Sequence, residues 1–285
     1  MKKLQNHSPH SQHKEEERSH EARQHHSEHG QPPLADGSTA VKHPSLVNIN
    51  LQFDPAVPLA GKPIKLILTV AEQRSGESLT EFEKIHDRLM HLIIVNTSDL
   101  SIFAHLHPTF VEENAGRFEI IHNFQEADEY KAWVDIKPQG KNQVLAAFRF
   151  KVLGEPIHKP KAVGGNEERF SKVTENGRYR IDLLVPDHIA AGDNVDITFR
   201  VADSKGNPIH DLEPLMAAGG HCVIITSDAK EFLHVHPAEE VGADWHGGPE
   251  VTFSATFPKR VAYRIWGQFQ HKGRVITADY DLVAK

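Results

Sequence analysis

The sequence predicts an all-β protein: two tandem immunoglobulin-like β-sandwich domains that follow a disordered, histidine-rich N-terminal tail. Three observations support this prediction. After residue 45, short apolar runs alternate with polar residues at the period of two that is typical of half-buried strands. Turn-forming residues separate these runs at the spacing expected of a β-sandwich. The same order of runs and turns then occurs a second time, which indicates a duplicated domain.

The tail, residues 1–45, contains few aromatic or branched apolar residues among its Ser, Gln, Glu and Lys. Such a segment cannot bury enough apolar surface to offset its chain entropy, so we expect it to be disordered. Histidine-rich tracts bind Zn²⁺, Cu²⁺ or Ni²⁺ loosely. The tail is therefore also a candidate for weak, multivalent metal binding through its eight histidines, which are His7, His10, His13, His20, His25, His26, His29 and His43.

The first predicted sandwich spans residues 46–153. A hairpin lies in its middle, and the remaining strands follow from apolar alternation. We expect them at residues 47–53, 64–70, 117–121, 130–136 and 143–152.

Residues 154–176 are rich in Gly and Pro and predict a linker. The second sandwich, residues 177–285, repeats the plan of the first. Trp133 and Trp266 occupy matching places, as do Phe124 and Phe257, and we expect all four to anchor the sandwich cores. Besides its own hairpin, the expected strands of the second sandwich cover residues 179–185, 195–201, 250–257, 263–269 and 274–283.

The most informative motif is a strand–turn–strand segment that occurs once in each repeat. Its first copy begins at His91 and ends in His105-Leu-His107-Pro. Because side chains alternate along a strand, His105 and His107 share a face. Counting outward from a Val95–Ser101 pair across the turn puts His91 opposite His105.

The second copy is one residue shorter in the turn. It begins at His221 and ends in His234-Val-His236-Pro. If Ile225 pairs with Lys230, His221 lies opposite His234. Opposed Cβ atoms are roughly 4.5–5.5 Å apart, so three imidazoles of each hairpin could converge on one metal ion.

Five residues before each leading histidine stands a further candidate ligand, His86 in the first copy and Met216 in the second. Imidazole suits Zn²⁺ and Cu²⁺, whereas a thioether adds a preference for Cu⁺. A lone histidine or methionine is more often a core residue than a ligand, but the matched spacing in both repeats favours metal binding. The predicted metal ligands are His86, His91, His105 and His107 in one site and Met216, His221, His234 and His236 in the other.

Composition narrows the other functions. The 285 residues carry a net charge of −7, which does not favour nucleic acid or an anionic membrane as partner. Cys222 is the one cysteine, so an intrachain disulfide and a thiolate cluster are excluded, and we expect Cys222 to pack in the core. No stretch is long and apolar enough to span a membrane, and the sequence shows no signal peptide, so we expect a cytoplasmic protein.

The two hairpin motifs resemble those of bacterial YtkA-like and FixH-like proteins. The resemblance covers both repeats through His-Leu-Ile-Ile-Val, the two His-x-His-Pro ends and Leu-Met216-Ala-Ala-Gly-Gly-His221. It implies small immunoglobulin-like sandwiches that are often exported and occur in copper-handling contexts. It further implies a non-enzymatic accessory protein that sequesters copper or zinc, or delivers it to a metal transporter or a metalloprotein client.

Two other classes stay open. His105-x-His107 followed by Glu112, like His234-x-His236 followed by Glu240, echoes part of the cupin metalloenzyme motif. The expected preceding glycine and the second cupin motif are missing, which argues against that enzyme class. A sandwich pair that binds only another protein is the third class, but it leaves the repeated histidines unexplained.

Overall fold

The structure, a computed structural model, describes residues 46–113, 116–155, 170–174, 177–233, 235–237 and 241–285. The predicted tail and most of the predicted linker lie outside these ranges. Among the described residues all regular structure is β, and the prediction of two tandem sandwiches is confirmed. This part of the chain contains no helix with the length and hydropathy of a membrane span.

The first repeat contains nine strands, which form because apolar and polar residues alternate along each of them. They are β1 (Val47–Asp54), β2 (Pro63–Glu72), β3 (Phe82–Glu83), β4 (Met90–Asn96), β5 (Phe103–Leu106), β6 (Thr109–Phe110), β7 (Arg117–Asn123), β8 (Asp128–Pro138) and β9 (Val144–Val152).

These strands form two sheets. One has the order β1-β2-β7-β6, and the other has the order β3-β8-β4-β5 with β9 paired to β8. The chain thus changes sheet between β5 and β6, directly after the His-x-His-Pro motif. Proline lacks the N–H that continues a ladder, so it fits the place where β5 ends.

The second repeat follows the same plan with two differences: it has a short extra strand at its start, and the single bridge Glu213–Gln270 stands where the first repeat has β3. Its strands are β10 (Ser171–Val173), β11 (Tyr179–Leu184), β12 (Asn194–Asp203), β13 (His221–Thr226), β14 (Phe232–Leu233), β15 (His236–Pro237), β16 (Glu250–Thr256), β17 (Ala262–His271) and β18 (Arg274–Val283).

The sheets of the second repeat are β10-β11-β12-β16-β15 and β14-β13-β17-β18. Strand β10 lies inside the predicted linker, so the second sandwich begins earlier than its apolar pattern indicated. Ser171 pairs with Asp182 on β11, and the Ser171 hydroxyl donates a hydrogen bond of 2.6 Å to the Asp182 carboxylate. A three-residue edge strand carries too little periodicity to be found in a sequence.

Each sandwich has its own core. Phe124 is buried in the first core and Phe257 in the second, as predicted, and Cys222 packs in the second core. Along β4 the even-numbered residues from Met90 to Ile94 face the first core, and the odd-numbered residues face away from it. The outward face of this strand is nevertheless buried, because the other repeat covers it.

The first hairpin forms with a different register from the one predicted. Val95 pairs with Phe103, not with Ser101. Asn96 extends the strand across the turn, since its side-chain Oδ1 accepts a hydrogen bond of 2.8 Å from the Ile102 amide. A shift of two residues leaves every side chain on its predicted face.

The second hairpin shows the same difference. Ile225 pairs with Phe232, not with Lys230. Here the Thr226 hydroxyl accepts a hydrogen bond of 3.0 Å from the Glu231 amide, and the Thr226 amide donates one of 3.0 Å to the Glu231 carbonyl. In both repeats a polar side chain at the end of the first strand makes an additional hydrogen bond across the turn. Counting residues outward from the turn does not predict this bond or the register that goes with it.

The two sandwiches belong to one compact unit and share a third hydrophobic cluster, the inter-repeat cluster. The expectation that Trp133 and Trp266 anchor separate cores is wrong, because both point outward from their sheets into this cluster. Trp266 stacks on Phe103 of the other repeat with ring centroids 4.8 Å apart, and Trp133 lies 6.0 Å from Phe232. The buried members are Ile93, Val95, Leu100, Trp133, Val223, Ile225, Ala229 and Trp266.

A buried charge also joins the repeats. The Lys131 ammonium donates hydrogen bonds of 2.9 Å to the carbonyls of Ala229 and Lys230 in the turn of the second hairpin. The matching residue of the second repeat is Arg264, which binds Asp281 of its own repeat at 2.9 Å. The two repeats therefore face each other through matched surfaces that differ in detail.

Candidate metal centre

The candidate site lies where the outward faces of β4 and β5 meet the second repeat. His91 lies on β4 and is 5 % exposed, while His105 lies on β5, where it pairs with Ile93. His107 follows directly after β5. We call His91, His105 and His107 the histidine trio.

A tight turn fixes the orientation of His91. Ile85 and Arg88 exchange both backbone hydrogen bonds, and the two residues between them, His86 and Asp87, have φ angles of 46° and 61°. Positive φ at both central residues is the pattern of a type I′ turn. The Ile85 carbonyl accepts a hydrogen bond of 2.8 Å from His91 Nε2. Since a carbonyl can only accept, the proton is on Nε2, and Nδ1 keeps its lone pair.

The second repeat fixes His105. Its Nδ1 lies 2.8 Å from Oε1 of Gln268, whose own Nε2 donates to the Thr277 hydroxyl at 3.2 Å. With the Gln268 amide held in this orientation, His105 donates through Nδ1 and keeps its lone pair on Nε2.

The two lone pairs face each other. His91 Nδ1 and His105 Nε2 are 3.0 Å apart. Two bare nitrogens at this distance repel unless a cation lies between them. Zinc–nitrogen bonds of about 2.0–2.1 Å place two ligands of a tetrahedral ion roughly 3.3 Å apart, close to the observed separation.

His107 completes the trio. Its Nε2 is buried and has no hydrogen-bond partner within the described part of the chain. One nitrogen from each of the three imidazoles lies within 4.8 Å of the others. The ring centroids are 4.7–5.3 Å apart, which suits three rings around one ion.

Two further histidines surround the trio. The ring of His221, from the second repeat, lies 5.5 Å from that of His105 and 6.3 Å from that of His91. The ring of His86 lies 5.4 Å from His221 and 6.1 Å from His91. Four predicted ligands of the first site and one of the second thus form a single cluster between the repeats.

Burial keeps these imidazoles neutral. Desolvation, assisted by the neighbouring imidazoles, lowers the pKa of His105 to about 4, that of His107 to about 3 and that of His221 to about 2. Desolvation also lowers the pKa of His91, against the field of Asp135 on the adjacent strand. A proton is therefore a poor occupant of this cluster at neutral pH, whereas neutral imidazole is the form that binds metal.

The structure does not bring the predicted ligands of the second site together in the same way. Met216 and Ala217 form the same tight turn as His86 and Asp87, with φ angles of 52° and 59°. His234 lies outside the described residues. The backbone of His236 pairs with Ser254 in β16 and so leaves the sheet of its hairpin.

The sequence did not point to Gln268 or to the carbonyls of Ile85 and Leu215 as parts of the site. Gln268 stands opposite His221 in the ladder of β13 and β17 and matches Asp135 of the first repeat. A polar residue between two apolar neighbours, at matched places in the two repeats, was the available signal. Backbone carbonyls leave no signal in a sequence.

Both repeats match one family model, described as a domain of unknown function (DUF8832), over residues 45–154 and 171–285. No curated protein matches the chain. These matches do not show a relationship to YtkA-like or FixH-like proteins, so the copper association that this resemblance implies stays a prediction.

Similar solved structures include FdeC, an Escherichia coli adhesin, at 15 % identity and a TM-score of 0.25, where the match covers 83 % of this chain and 63 % of that one. Domains 4 and 5 of the S-layer protein SbsC match at 12 % identity and a TM-score of 0.23, covering 83 % and 97 %. Invasin, a bacterial integrin-binding protein, matches at 10 % identity and a TM-score of 0.23, covering 84 % and 39 %. The chain thus spans less than two thirds of the length of the adhesin. These similarities support neither a binding partner nor the expected cytoplasmic location.

Proposed function

We propose that this chain, which belongs to the DUF8832 domain family, is a transition-metal-binding accessory protein. The ion is held between its two repeats by the histidine trio. The protein sequesters zinc or copper, or delivers it to a metal transporter or a metalloprotein client.

The observation that carries the proposal is the pair of facing lone pairs on His91 and His105, 3.0 Å apart. Each is directed by a hydrogen bond on the opposite side of its ring, to Ile85 and to Gln268. Metal-ligating histidines are usually oriented by such an outer partner. A structural histidine pair would instead share a proton, and burial opposes the positive charge that this proton brings.

The donor atoms narrow the choice of ion. The trio offers neutral imidazole nitrogens, which suit Zn²⁺ and Cu²⁺. Cys222 faces the core of the second sandwich, and burial raises the pKa of its thiol well above the usual range. A thiolate ligand from this residue is therefore not part of the proposed site.

The proposed role is binding and not catalysis. A cupin-type centre would add the carboxylate of Glu112 to His105 and His107, but Glu112 is exposed. The group of possible metal ligands found among the described residues holds the three histidines and no carboxylate. Four protein nitrogens around one ion would leave no open position for a substrate, which fits storage or transfer of that ion.

A chelator competition on the full chain tests the proposal. We expect wild-type protein to bind one Zn²⁺ ion with a submicromolar dissociation constant, and His91→Gln to lose this tight site. His188→Gln is the matched control, because His188 is an exposed histidine in the loop between β11 and β12, outside both hairpins. The tail is present in all three proteins, so its weak sites cancel. Equal Zn²⁺ affinity of the wild type and His91→Gln would overturn the proposed function.

A further inference from the structure

We infer that the ion is shared between the repeats, with His221 of the second repeat as the fourth ligand beside the histidine trio. This inference rests on the proposed function and adds a ligand that the sequence assigns to a separate site. It also gives the ion a second effect, which is to tie the two sandwiches together.

The first support is position. Two rings bound to one tetrahedral ion have centroids roughly 5 Å apart. The His221 ring is 5.5 Å from that of His105 and 6.3 Å from that of His91. Both separations exceed that value by roughly 0.5–1.3 Å, a difference that a bound ion can close by drawing the rings inward.

The second support is the direction of the His221 lone pair. His221 Nε2 donates a hydrogen bond of 3.0 Å to the Leu215 carbonyl, which leaves the lone pair on Nδ1. His91 and Ile85 make the same contact at the matching place of the first repeat. His221 is 9 % exposed, so its ring lies largely out of contact with bulk water.

The third support is that the second repeat already takes part in orienting the site. Gln268 stands opposite His221 on the neighbouring strand and accepts the hydrogen bond of His105 across the interface. One strand pair of the second repeat thus presents a ligand and the partner that orients another ligand. The stacked rings of Phe103 and Trp266 hold the same two surfaces together.

His86 is the competing fourth ligand. Its ring contacts those of both His91 and His221. The structure favours His221, because His221 lies near two members of the trio and its tautomer is fixed by Leu215. An experiment on the full chain can separate the two residues.

The decisive variant is His221→Cys, loaded with substoichiometric Co²⁺. A thiolate at position 221 that binds the ion gives a sulfur-to-cobalt charge-transfer band in the near ultraviolet. We expect this band in His221→Cys and not in the wild type, because Cys222 faces the core. We also expect His221→Gln to weaken Zn²⁺ binding at least tenfold and more than His86→Gln does, while His188→Gln changes it less than threefold.

The outcomes separate the two hypotheses. If His91→Gln abolishes tight binding while His221→Cys gives no band and His221→Gln binds normally, the trio binds metal without the second repeat, and only the shared centre is wrong. If the band appears in His86→Cys instead, His86 is the fourth ligand. A wild-type chain without a tight site contradicts the proposed function itself.

The wild-type Co²⁺ spectrum gives a test that does not depend on the folding of a variant. Four nitrogens around Co²⁺ produce the intense visible bands of a tetrahedral complex. Weak bands of a five- or six-coordinate complex, with water completing the shell, would overturn the inference.

Discussion

At the scale of single residues, the direction of each nitrogen in the site depends on a partner outside the trio. Ile85 turns the lone pair of His91 inward, and Gln268 does the same for His105. These contacts also keep the rings from rotating, so the site is arranged before an ion arrives. Preorganisation of this kind raises affinity by lowering the entropy lost on binding.

The same burial predicts how the metal-free protein responds to acid. The pKa of His105 is about 4 and that of His221 about 2, whereas an unfolded chain has histidines near 6.5. Between pH 6.5 and these values the unfolded state binds more protons, so stability falls as pH falls. Each fully buried imidazole contributes up to about 1.4 kcal/mol per pH unit.

Urea unfolding of metal-free protein at pH 7, 6 and 5 measures this loss. We expect the free energy of unfolding to fall more steeply below pH 6.5 in the wild type than in His105→Gln, which lacks one buried imidazole. His188→Gln should follow the wild type. A free energy of unfolding that stays constant from pH 7 to pH 5 would show that these imidazoles are not buried as described.

How much of the site the sequence could predict is clear from individual residues. The repeated spacing identified His91, His105, His107 and His221, because alternation fixes which side chains share a face. Gln268 was missed because it lies 163 residues from His105 in the chain. No local pattern reports a contact of that range.

At the scale of strands, reciprocal aromatic contacts between the hairpins hold the two repeats together beside the site. Phe103 of the first hairpin stacks on Trp266 of the second repeat, and Phe232 of the second hairpin packs near Trp133 of the first. The strands themselves were predictable from alternation. The match of Trp133 with Trp266 was also visible in the sequence. The sequence could not predict that these tryptophans face the other repeat. Both faces of β8 and β17 are buried around the tryptophan, so alternation does not show which face belongs to the core of its own sandwich.

A double-mutant cycle tests this packing. We expect Trp266→Ala to lower the free energy of unfolding by about 3–5 kcal/mol, as for other large buried aromatic residues. The coupling energy between Phe103→Ala and Trp266→Ala should be about 0.5–1.5 kcal/mol, the usual range for stacked rings.

The control pair for this cycle is Phe82 and Phe118, whose rings lie 5.0 Å apart within the first sandwich. That pair should show coupling of similar size but leave the affinity of the metal site unchanged. Loss of tight Zn²⁺ binding should accompany Phe103→Ala and Trp266→Ala, because these changes loosen the interface at the site. Intact affinity in both interface variants would mean that the trio does not depend on the docked repeats.

At the scale of the whole molecule, the fold was predictable and the docking of its halves was not. Duplication showed in the sequence because each repeat must bury its own core with the same alternation. The inter-repeat cluster was not predictable in this way, since its apolar residues are equally consistent with the cores of two separate domains. The tail lies outside the described residues, and its metal binding stays a prediction.

Removal of residues 1–44 tests the role of the tail. We expect the truncated chain to bind fewer weakly held ions at millimolar Zn²⁺, because eight histidines are lost. The single tight site should remain, since its proposed ligands, which lie between residues 91 and 221, are all retained. Equilibrium dialysis over a range of Zn²⁺ concentrations separates the two classes. Loss of the tight site on truncation would mean that the tail supplies one of its ligands.

The reciprocal contacts of Trp133 with Phe232 and of Trp266 with Phe103 have a consequence for the ancestry of the chain. Contacts of this kind are those of an isologous homodimer, in which every substitution alters both halves at once. Fusing the halves into one chain removes that constraint. His86 and Met216 now differ at matched places, as do Lys131 and Arg264. One repeat can therefore specialise in supplying ligands while the other specialises in orienting them. Two identical subunits cannot differ in this way.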